Sequence, residues 1–203
     1  MYTGVLNAQR AVFEILKPGT SWVDCHKAAE EAVLTAMVEL KVVKMCDGFT
    51  LKDMVDIRLG SVFMPHGLGH FIGIDTHDVG GYLPSYPERQ SGPGLKSLRT
   101  ARILEEDMCL TVEPGCYFID YSIDNALKDP NLSRFIIEEE INKHRGTGGV
   151  RLEDVLAITA DSFTNYTVAP RGIDEVESVM AQGKWPPVKD LYPELKREDL
   201  LTM

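Results

Sequence analysis

The chain contains 203 residues, of which 44% are hydrophobic and 26% are charged, and its formal net charge is −10 with neutral histidines. This length allows a sizeable hydrophobic core, and the composition is typical of a globular protein. Nucleic acids and anionic membranes attract basic surfaces, so the negative charge argues against both as the main partner.

Cysteine usage and apolar runs bear on the compartment in which the protein works. The four cysteines (Cys25, Cys46, Cys109 and Cys116) form no CxxC pair, which indicates reduced thiols rather than a disulfide framework. The first thirty residues are interrupted by charges and contain no signal-peptide run. No stretch approaches the roughly 18 apolar residues of a membrane span. We therefore expect a cytoplasmic protein without a membrane-spanning segment.

The N-terminal part of the chain is predicted to be helical. Apolar residues recur at helical spacing over residues 5–19 and again over 21–43. Ser21 and Asp24 have the spacing of a capping box at the start of the second helix. A third, short helix is expected after Thr50, which has an aspartate three residues later. Helices should therefore dominate the first part of the fold.

The pattern changes to short strands and loops further along the chain. Glycine and proline are frequent over residues 62–118, where short apolar runs predict strands. One helix is predicted over 131–145, and two strands around an Asp-Ser turn over 148–168. From residue 173 onward the order signals are weak. These elements predict an α+β fold with a mostly antiparallel sheet.

Three of the five histidines lie in one glycine-rich stretch, HGLGHFIGIDTHDVGG. His66 and His70 have the spacing of two metal ligands on a helix, but the two glycines between them would cost a helix about 2 kcal/mol. A strand or loop is therefore predicted, and the helical zinc-protease motif is excluded. Imidazoles such as His66, His70 and His77 can bind metal or transfer protons. The alternative is a glycine-rich turn whose histidines bond to the backbone.

Two further stretches place carboxylates where they need partners. In LTVEPG, Glu113 ends an apolar strand, and Pro114 favours an extended backbone before it. A carboxylate in such a place is costly unless a metal ion or an arginine pairs with it. In GGVRLEDV, Arg151 and Glu153 share one strand face, where they can instead form an ordinary surface ion pair.

The arginines of SLRTAR are candidates for binding an anionic group. Arg99 and Arg102 lie in a glycine- and proline-rich loop of an acidic chain. A guanidinium can hold a carboxylate through two parallel hydrogen bonds. The alternative is that both arginines are ordinary surface residues.

Taken in order, four stretches resemble the metallopeptidase family with the pita-bread fold, which includes methionine aminopeptidase, aminopeptidase P and prolidase. The stretches are FMPHGLGHFIGIDTHDVGGY, LKSLRTAR, LTVEPGCYFID and RGTGGVRLEDV. They are most similar to the prolidase branch, the Xaa-Pro dipeptidases, and the resemblance covers residues 5–172. It implies an α+β pita-bread fold, with a partial catalytic domain over residues 1–172 and a C-terminal tail over 173–203.

The resemblance implies a set of metal ligands. In such enzymes two divalent ions, usually manganese in prolidases, are bound by two aspartates, one histidine and two glutamates. The matching positions here are His70, Glu113 and Glu153. Glu113 is implied also as the catalytic proton shuttle. The implied reaction is hydrolysis of an Xaa-Pro dipeptide by a metal-activated water.

The resemblance also implies substrate-binding residues. His77 corresponds to the residue that steadies the substrate or the tetrahedral intermediate, and it therefore counts as catalytic as well. His66 lies beside the site. Arg99 resembles the arginine that holds the free carboxylate of the substrate proline.

The chain departs from the family pattern at its beginning. The two aspartate ligands of the family lie before the helix that LNAQRAVFEILKPG resembles, and here no aspartate precedes Asp24. We therefore expect a fold truncated on its N-terminal side, with at most one weakly held manganese ion. An exposed sheet edge favours pairing with another chain, so a homodimer is a possible assembly. The alternative function is a truncated, catalytically inactive protein that binds peptides or partners through the remaining cleft.

Overall fold

Two long helices form the first layer of the fold in the computed structural model, which describes residues 1–198, 200 and 201. Helix α1 is Tyr2–Ile15 and helix α2 is Trp22–Glu39. They pack closely because Gly4 has no side chain: a Cβ there would lie 2.4 Å from the Cβ of Ala36. Both helices were predicted from their apolar spacing, and both predictions are confirmed.

The caps of the next helices differ from one another. Helix α3, Leu51–Asp56, begins with the predicted capping box between Thr50 and Asp53. The capping box predicted at Ser21 is wrong, because Ser21 makes no side-chain cap bond. Instead the chain enters α2 from a β-bridge between Ser21 and Ile103, and the Trp22 amide donates to the Arg102 carbonyl.

The strands form two small antiparallel sheets. One sheet has the order β1-β4-β5, and the other pairs β2 with β3. The mostly antiparallel pairing was predicted and is confirmed. The strands are β1 Cys109–Val112, β2 Gly115–Tyr117, β3 Gly149–Arg151, β4 Asp154–Ile158 and β5 Phe163–Asn165.

The β1–β4 pair and the β2–β3 pair are two parts of one long antiparallel hairpin that is interrupted at matching places. Val112 faces Asp154 at one end of the interruption, and Gly115 faces Arg151 at the other. The same register continued across the gap sets Glu113 opposite Glu153. Pro114 has no amide hydrogen to donate to a ladder, and its carbonyl accepts from the Leu152 amide at 3.2 Å. The strand end predicted at Glu113 is confirmed, whereas the single strand predicted before the Asp-Ser turn is divided into β3 and β4, which is a correction.

The histidine stretch lies extended along the free side of β1. Phe71 forms a bridge with Leu110. The Thr111 amide donates to the His70 carbonyl at 2.9 Å, and the Glu113 amide donates to the Leu68 carbonyl at 2.8 Å. The prediction of an extended or loop backbone in place of a helix is confirmed.

The helix predicted over 131–145 is wrong as a single element. Residues 135–137 are drawn out of it because Ile137 donates to the Val42 carbonyl and Lys44 donates to the Phe135 carbonyl. This pairing with the segment after α2 buries Phe135 and Ile136. The helices of this region are α4 Asp120–Lys128, α5 Pro130–Ser133 and α6 Glu138–Asn142.

One hydrophobic cluster joins the helical layer to the strands. It runs from Trp22 in α2 through Phe63 to Leu110 in β1 and Leu156 in β4, all of them buried. Beyond β5, helix α7, Ile173–Met180, was not predicted from the weak signals of the C-terminal segment. Among the residues described, none of the helices combines the length and the hydropathy needed to cross a bilayer.

We predict that Gly69→Ala destabilises the fold, because the added Cβ would lie 2.0 Å from the Thr111 carbonyl oxygen. Overpacking of this kind costs about 1 to 3 kcal/mol. The control is Gly92→Ala, whose Cβ would meet only the flexible Arg58 side chain at 3.4 Å or more. Urea unfolding should show a lower free energy of unfolding for Gly69→Ala and a change within about 0.5 kcal/mol for the control. Equal free energies for the two variants would contradict the close approach of these strands.

Candidate metal centre

Three side chains that carry metal-binding atoms meet at the interruption of the hairpin. One ligand atom from each of His70, Glu113 and Glu153 lies within 4.8 Å of the others. The Nε2 atom of His70 is 3.3 Å from Oε1 of Glu113. Ligand bonds of about 2.2 to 2.4 Å place the donor atoms of one ion within roughly 4.4 to 4.8 Å of each other. The three side chains are therefore a candidate site for a single divalent cation.

The hydrogen bonding of His70 identifies its free nitrogen. Its Nδ1 lies 2.8 Å from the Phe71 carbonyl, which can only accept, so Nδ1 carries the proton. In the neutral ring Nε2 is then an acceptor, and it faces the Glu113 carboxylate. Two acceptors at this distance repel each other unless a cation or a proton lies between them. A hydrogen bond from Nδ1 to a backbone carbonyl, as His70 makes to Phe71, commonly orients histidines that bind metal through Nε2.

The Glu113 carboxylate is nearly buried and has several partners. Its Oε1 accepts from the Thr111 hydroxyl at 3.0 Å, and its Oε2 accepts from Arg151 Nη1 at 3.0 Å. Burial, and secondly the negative charge of Glu153, raise the pKa of Glu113 above its usual value, although Thr111 and Arg151 oppose the shift. A carboxyl group with a raised pKa suits proton transfer near neutral pH.

The same cavity contains the other residues predicted for the site. It has a volume of about 310 Å³. His77 and Arg99 are exposed, and the ring of His77 stands edge-to-face on that of His70 with centroids 4.4 Å apart. Glu153 is not part of the lining, but one of its carboxylate oxygens lies within 4.8 Å of the ligand atoms of His70 and Glu113, which are. The lining consists of Pro65, His66, Gly67, Gly69, His70, His77, Ser97, Arg99, Glu113 and Arg151.

His66 is held as a neutral ring. Its Nδ1 lies 2.8 Å from the Gly67 carbonyl, and its buried Nε2 has no partner among the described residues. Burial lowers the pKa of His66 from 6.5 to about 4, against the opposing hydrogen bond to Gly67. The ring packs edge-to-face on Tyr117, with centroids 5.5 Å apart.

The two arginines of SLRTAR have different surroundings. Arg102 forms an ion pair with Glu105 at 2.6 Å and lies over the Tyr86 ring. Arg99 has no ion-pair partner in the described part of the chain, and it lines the cavity. Arg99 is therefore the arginine of this pair that is available to an anionic ligand.

The sequence interpretation did not assign three supporting residues. Thr111 binds both the His70 amide, at 3.0 Å, and Glu113. Tyr117 accepts from Arg151 Nε at 2.7 Å. The alternative of a surface pair between Arg151 and Glu153 is wrong, because Arg151 pairs with Glu113. Strand alternation could have shown Thr111 on the Glu113 face, but the Arg151 contact crosses between strands.

Comparison with known proteins defines the class to which this fold and site belong. Residues 1–160 match the metallopeptidase family M24, and the chain belongs to that family. Its relatives include the Xaa-Pro dipeptidase of Homo sapiens, which is 46% identical over 181 residues, covering 89% of this chain and 36% of that protein. A probable Xaa-Pro aminopeptidase of Coccidioides posadasii is 36% identical over 90% of this chain and 38% of its own length. The chain thus spans little more than a third of these relatives.

Solved structures show the same fold. The aminopeptidase PepP of Pseudomonas aeruginosa superposes with a TM-score of 0.64 at 27% identity, covering 89% of this chain and 34% of that one. Proline aminopeptidase P II from Yersinia pestis gives 0.63 at 28% identity, covering 90% and 34%. The predicted pita-bread fold and the resemblance to prolidases are confirmed. Membership of the family implies the use of a divalent metal.

We predict that His66 makes stability depend on pH. Its folded pKa of about 4 lies below its ordinary value of 6.5, so its contribution is complete above pH 6.5 and is lost as the pH falls toward 4. The loss amounts to about 3 kcal/mol. Urea unfolding of the parent and His66→Gln across this range should show a flatter pH profile for the variant. Parallel profiles would contradict a buried neutral His66.

Proposed function

We propose that this chain provides part of the metal centre and substrate site of an Xaa-Pro dipeptidase. The main observation in support is that His70 Nε2, a Glu113 oxygen and a Glu153 oxygen lie close together beside a cavity. A divalent cation between these three acceptor groups would offset their mutual repulsion. The names of the relatives, Xaa-Pro dipeptidase above all, support the substrate class.

The metal ligands in this proposal are His70, Glu113 and Glu153. Two carboxylates and one imidazole form a mostly hard donor set, which suits manganese. When bound, such an ion polarises a peptide carbonyl and makes a water molecule more acidic. Thr111 and Arg151 each hold one oxygen of Glu113 and thereby fix the direction of its carboxylate.

Glu113 is the catalytic acid–base group in this proposal. It accepts a proton from the attacking water and returns it to the proline nitrogen as the amide bond breaks. The raised pKa of Glu113 in the metal-free chain supports the first half of this cycle, because a more basic carboxylate accepts a proton from water more readily.

Arg99, His66 and His77 bind the substrate. The guanidinium of Arg99, which has no ion-pair partner among the described residues, is suited to the free carboxylate of the proline residue. His77 stands beside the metal ligand His70, where it can donate to the oxygen of the peptide carbonyl. His66 contributes a neutral imidazole to the wall of the same cavity.

A non-catalytic role is the second candidate. Within residues 1–198, 200 and 201 the metal-ligand group contains three side chains, whereas the family resemblance implies five. A three-ligand site can bind a peptide weakly without hydrolysing it. Measurements of binding and of turnover separate the two candidates.

Compartment and assembly belong to the proposal as well. The four cysteine thiols are free, which is consistent with a reducing compartment such as the cytoplasm. In the described residues β3 pairs with β2 alone, and an edge strand of this kind can pair with a second copy in a homodimer.

We predict that manganese binds at a single site and that binding needs the assigned ligands. Calorimetric titration of the parent should give about one ion per chain, and His70→Ala or Glu113→Gln should weaken affinity by roughly tenfold or more. Glu105→Gln is the control, because Glu105 is exposed and pairs with Arg102. Unchanged affinity in both ligand variants would show that the ion binds elsewhere.

We predict that Arg99 recognises the carboxylate of Gly-Pro. With manganese present, Arg99→Gln should bind Gly-Pro about tenfold more weakly, while Arg102→Gln should match the parent. Gly-Pro amide, which lacks the carboxylate, should bind the parent and Arg99→Gln equally. A parent preference for the amide would refute the assignment. Binding of Gly-Pro without turnover would favour the non-catalytic candidate.

A further inference from the structure

Arg171 holds the backbone of a proposed metal ligand. Its Nη2 donates to the main-chain carbonyl of Glu153 at 2.5 Å, and its Nε donates to Oδ1 of Asp154 at 2.7 Å. Arg171 is 9% exposed and Asp154 is completely buried. The other oxygen of Asp154 accepts from Asn165 Nδ2 at 2.7 Å. The guanidinium therefore forms hydrogen bonds to two consecutive residues at the start of β4.

Glu153 depends on its backbone for position. It lies in the interruption between β3 and β4, and its side chain is exposed. No hydrogen bond or ion pair holds its carboxylate among the described residues. The contact from Arg171 to the Glu153 carbonyl therefore fixes where that carboxylate can reach.

Arg171 is itself held by the first residue of α1 and by the C-terminal segment. Its amide donates to Oε2 of Glu175 at 2.9 Å, and its carbonyl accepts from the Tyr2 hydroxyl at 2.9 Å. Glu175 in turn is held by two hydrogen bonds from Arg197, at 3.0 and 2.9 Å. A chain of buried polar contacts thus runs from Arg197 through α7 to Glu153.

We propose that Arg171 is a positioning residue for Glu153, and that the C-terminal segment 172–198 sets metal affinity through it. This inference rests on the proposed metal site. In this inference the segment supplies no additional ligand. Its role at the metal centre is to hold Glu153 in position. Residues that orient ligands in this way commonly change metal affinity by roughly tenfold to a hundredfold.

The first test compares Arg171→Lys with Arg145→Lys. Arg145 also pairs with two carboxylates, those of Asp120 and Asp124, and neither is a proposed ligand. Lysine keeps the charge opposite Asp154 but cannot bind Asp154 and the Glu153 carbonyl as a planar fork does. Manganese affinity should fall roughly tenfold or more in Arg171→Lys and change within about twofold in the control. Affinity within about twofold of the parent in a folded Arg171→Lys would overturn the inference.

A second variant guards against misfolding. Removing one partner of a buried ion pair leaves the other charge uncompensated, so the double variant Arg171→Gln/Asp154→Asn removes both charges. Its metal-free thermal midpoint reports folding, and its manganese affinity reports positioning. A folded double variant with parental affinity would show that Arg171 is only structural.

A metal-free measurement separates this inference from the proposed function. Amide hydrogen exchange in the peptide covering residues 149–158 should be faster in Arg171→Lys than in the parent, while exchange in α2, which does not pair with β4, should be unchanged. Unchanged exchange would overturn the positioning role even if manganese binds. A parent that binds no manganese would refute the proposed metal site and with it the effect on affinity, and the exchange result would still decide whether Arg171 holds Glu153.

Discussion

Two glutamates facing each other across an interrupted hairpin are the constraint on which the site depends. The register of the flanking strands sets Glu113 opposite Glu153, and like charges in such cross-strand pairs repel. Glu113 is also almost buried, so its charge has lost most of its hydration. Arg151 and Thr111 each donate a hydrogen bond to Glu113 and offset part of this cost, and the Nε2 atom of His70 faces the same carboxylate at 3.3 Å. A divalent cation completes the balance in the proposed function.

The backbone around this pair is organised to hold it. The segment from Leu68 to Phe71 runs along one side of β1, and β4 runs along the other. The close contact at Gly69 leaves no room for a side chain, which keeps His70 near Glu113. On the opposite side, Arg171 grips the start of β4. Each proposed ligand is thus positioned by a different part of the chain.

The arginines differ in whether they contact a carboxylate of the chain itself. Arg102, Arg145, Arg151 and Arg171 each contact a carboxylate. Arg99 lines the cavity without an ion-pair partner among the residues described. In a chain with a net charge of −10, this arginine is the group to which the proposed function assigns the carboxylate of the substrate.

The sequence by itself determined the parts of this protein that depend on local pattern. Helical spacing fixed α1 and α2, the Thr50 capping box fixed the start of α3, and two glycines excluded a helix between His66 and His70. Four motifs taken in order, two of which contain Glu113 and Glu153, were sufficient to indicate the family. Tertiary structure alone decided that residues 135–137 leave their helix to pair with the segment after α2. It also decided that Arg151 serves Glu113, and that Arg171 reaches back 18 positions to Glu153. These contacts join residues far apart in the chain, and neither helical nor strand periodicity carries information about which distant partner a side chain will meet.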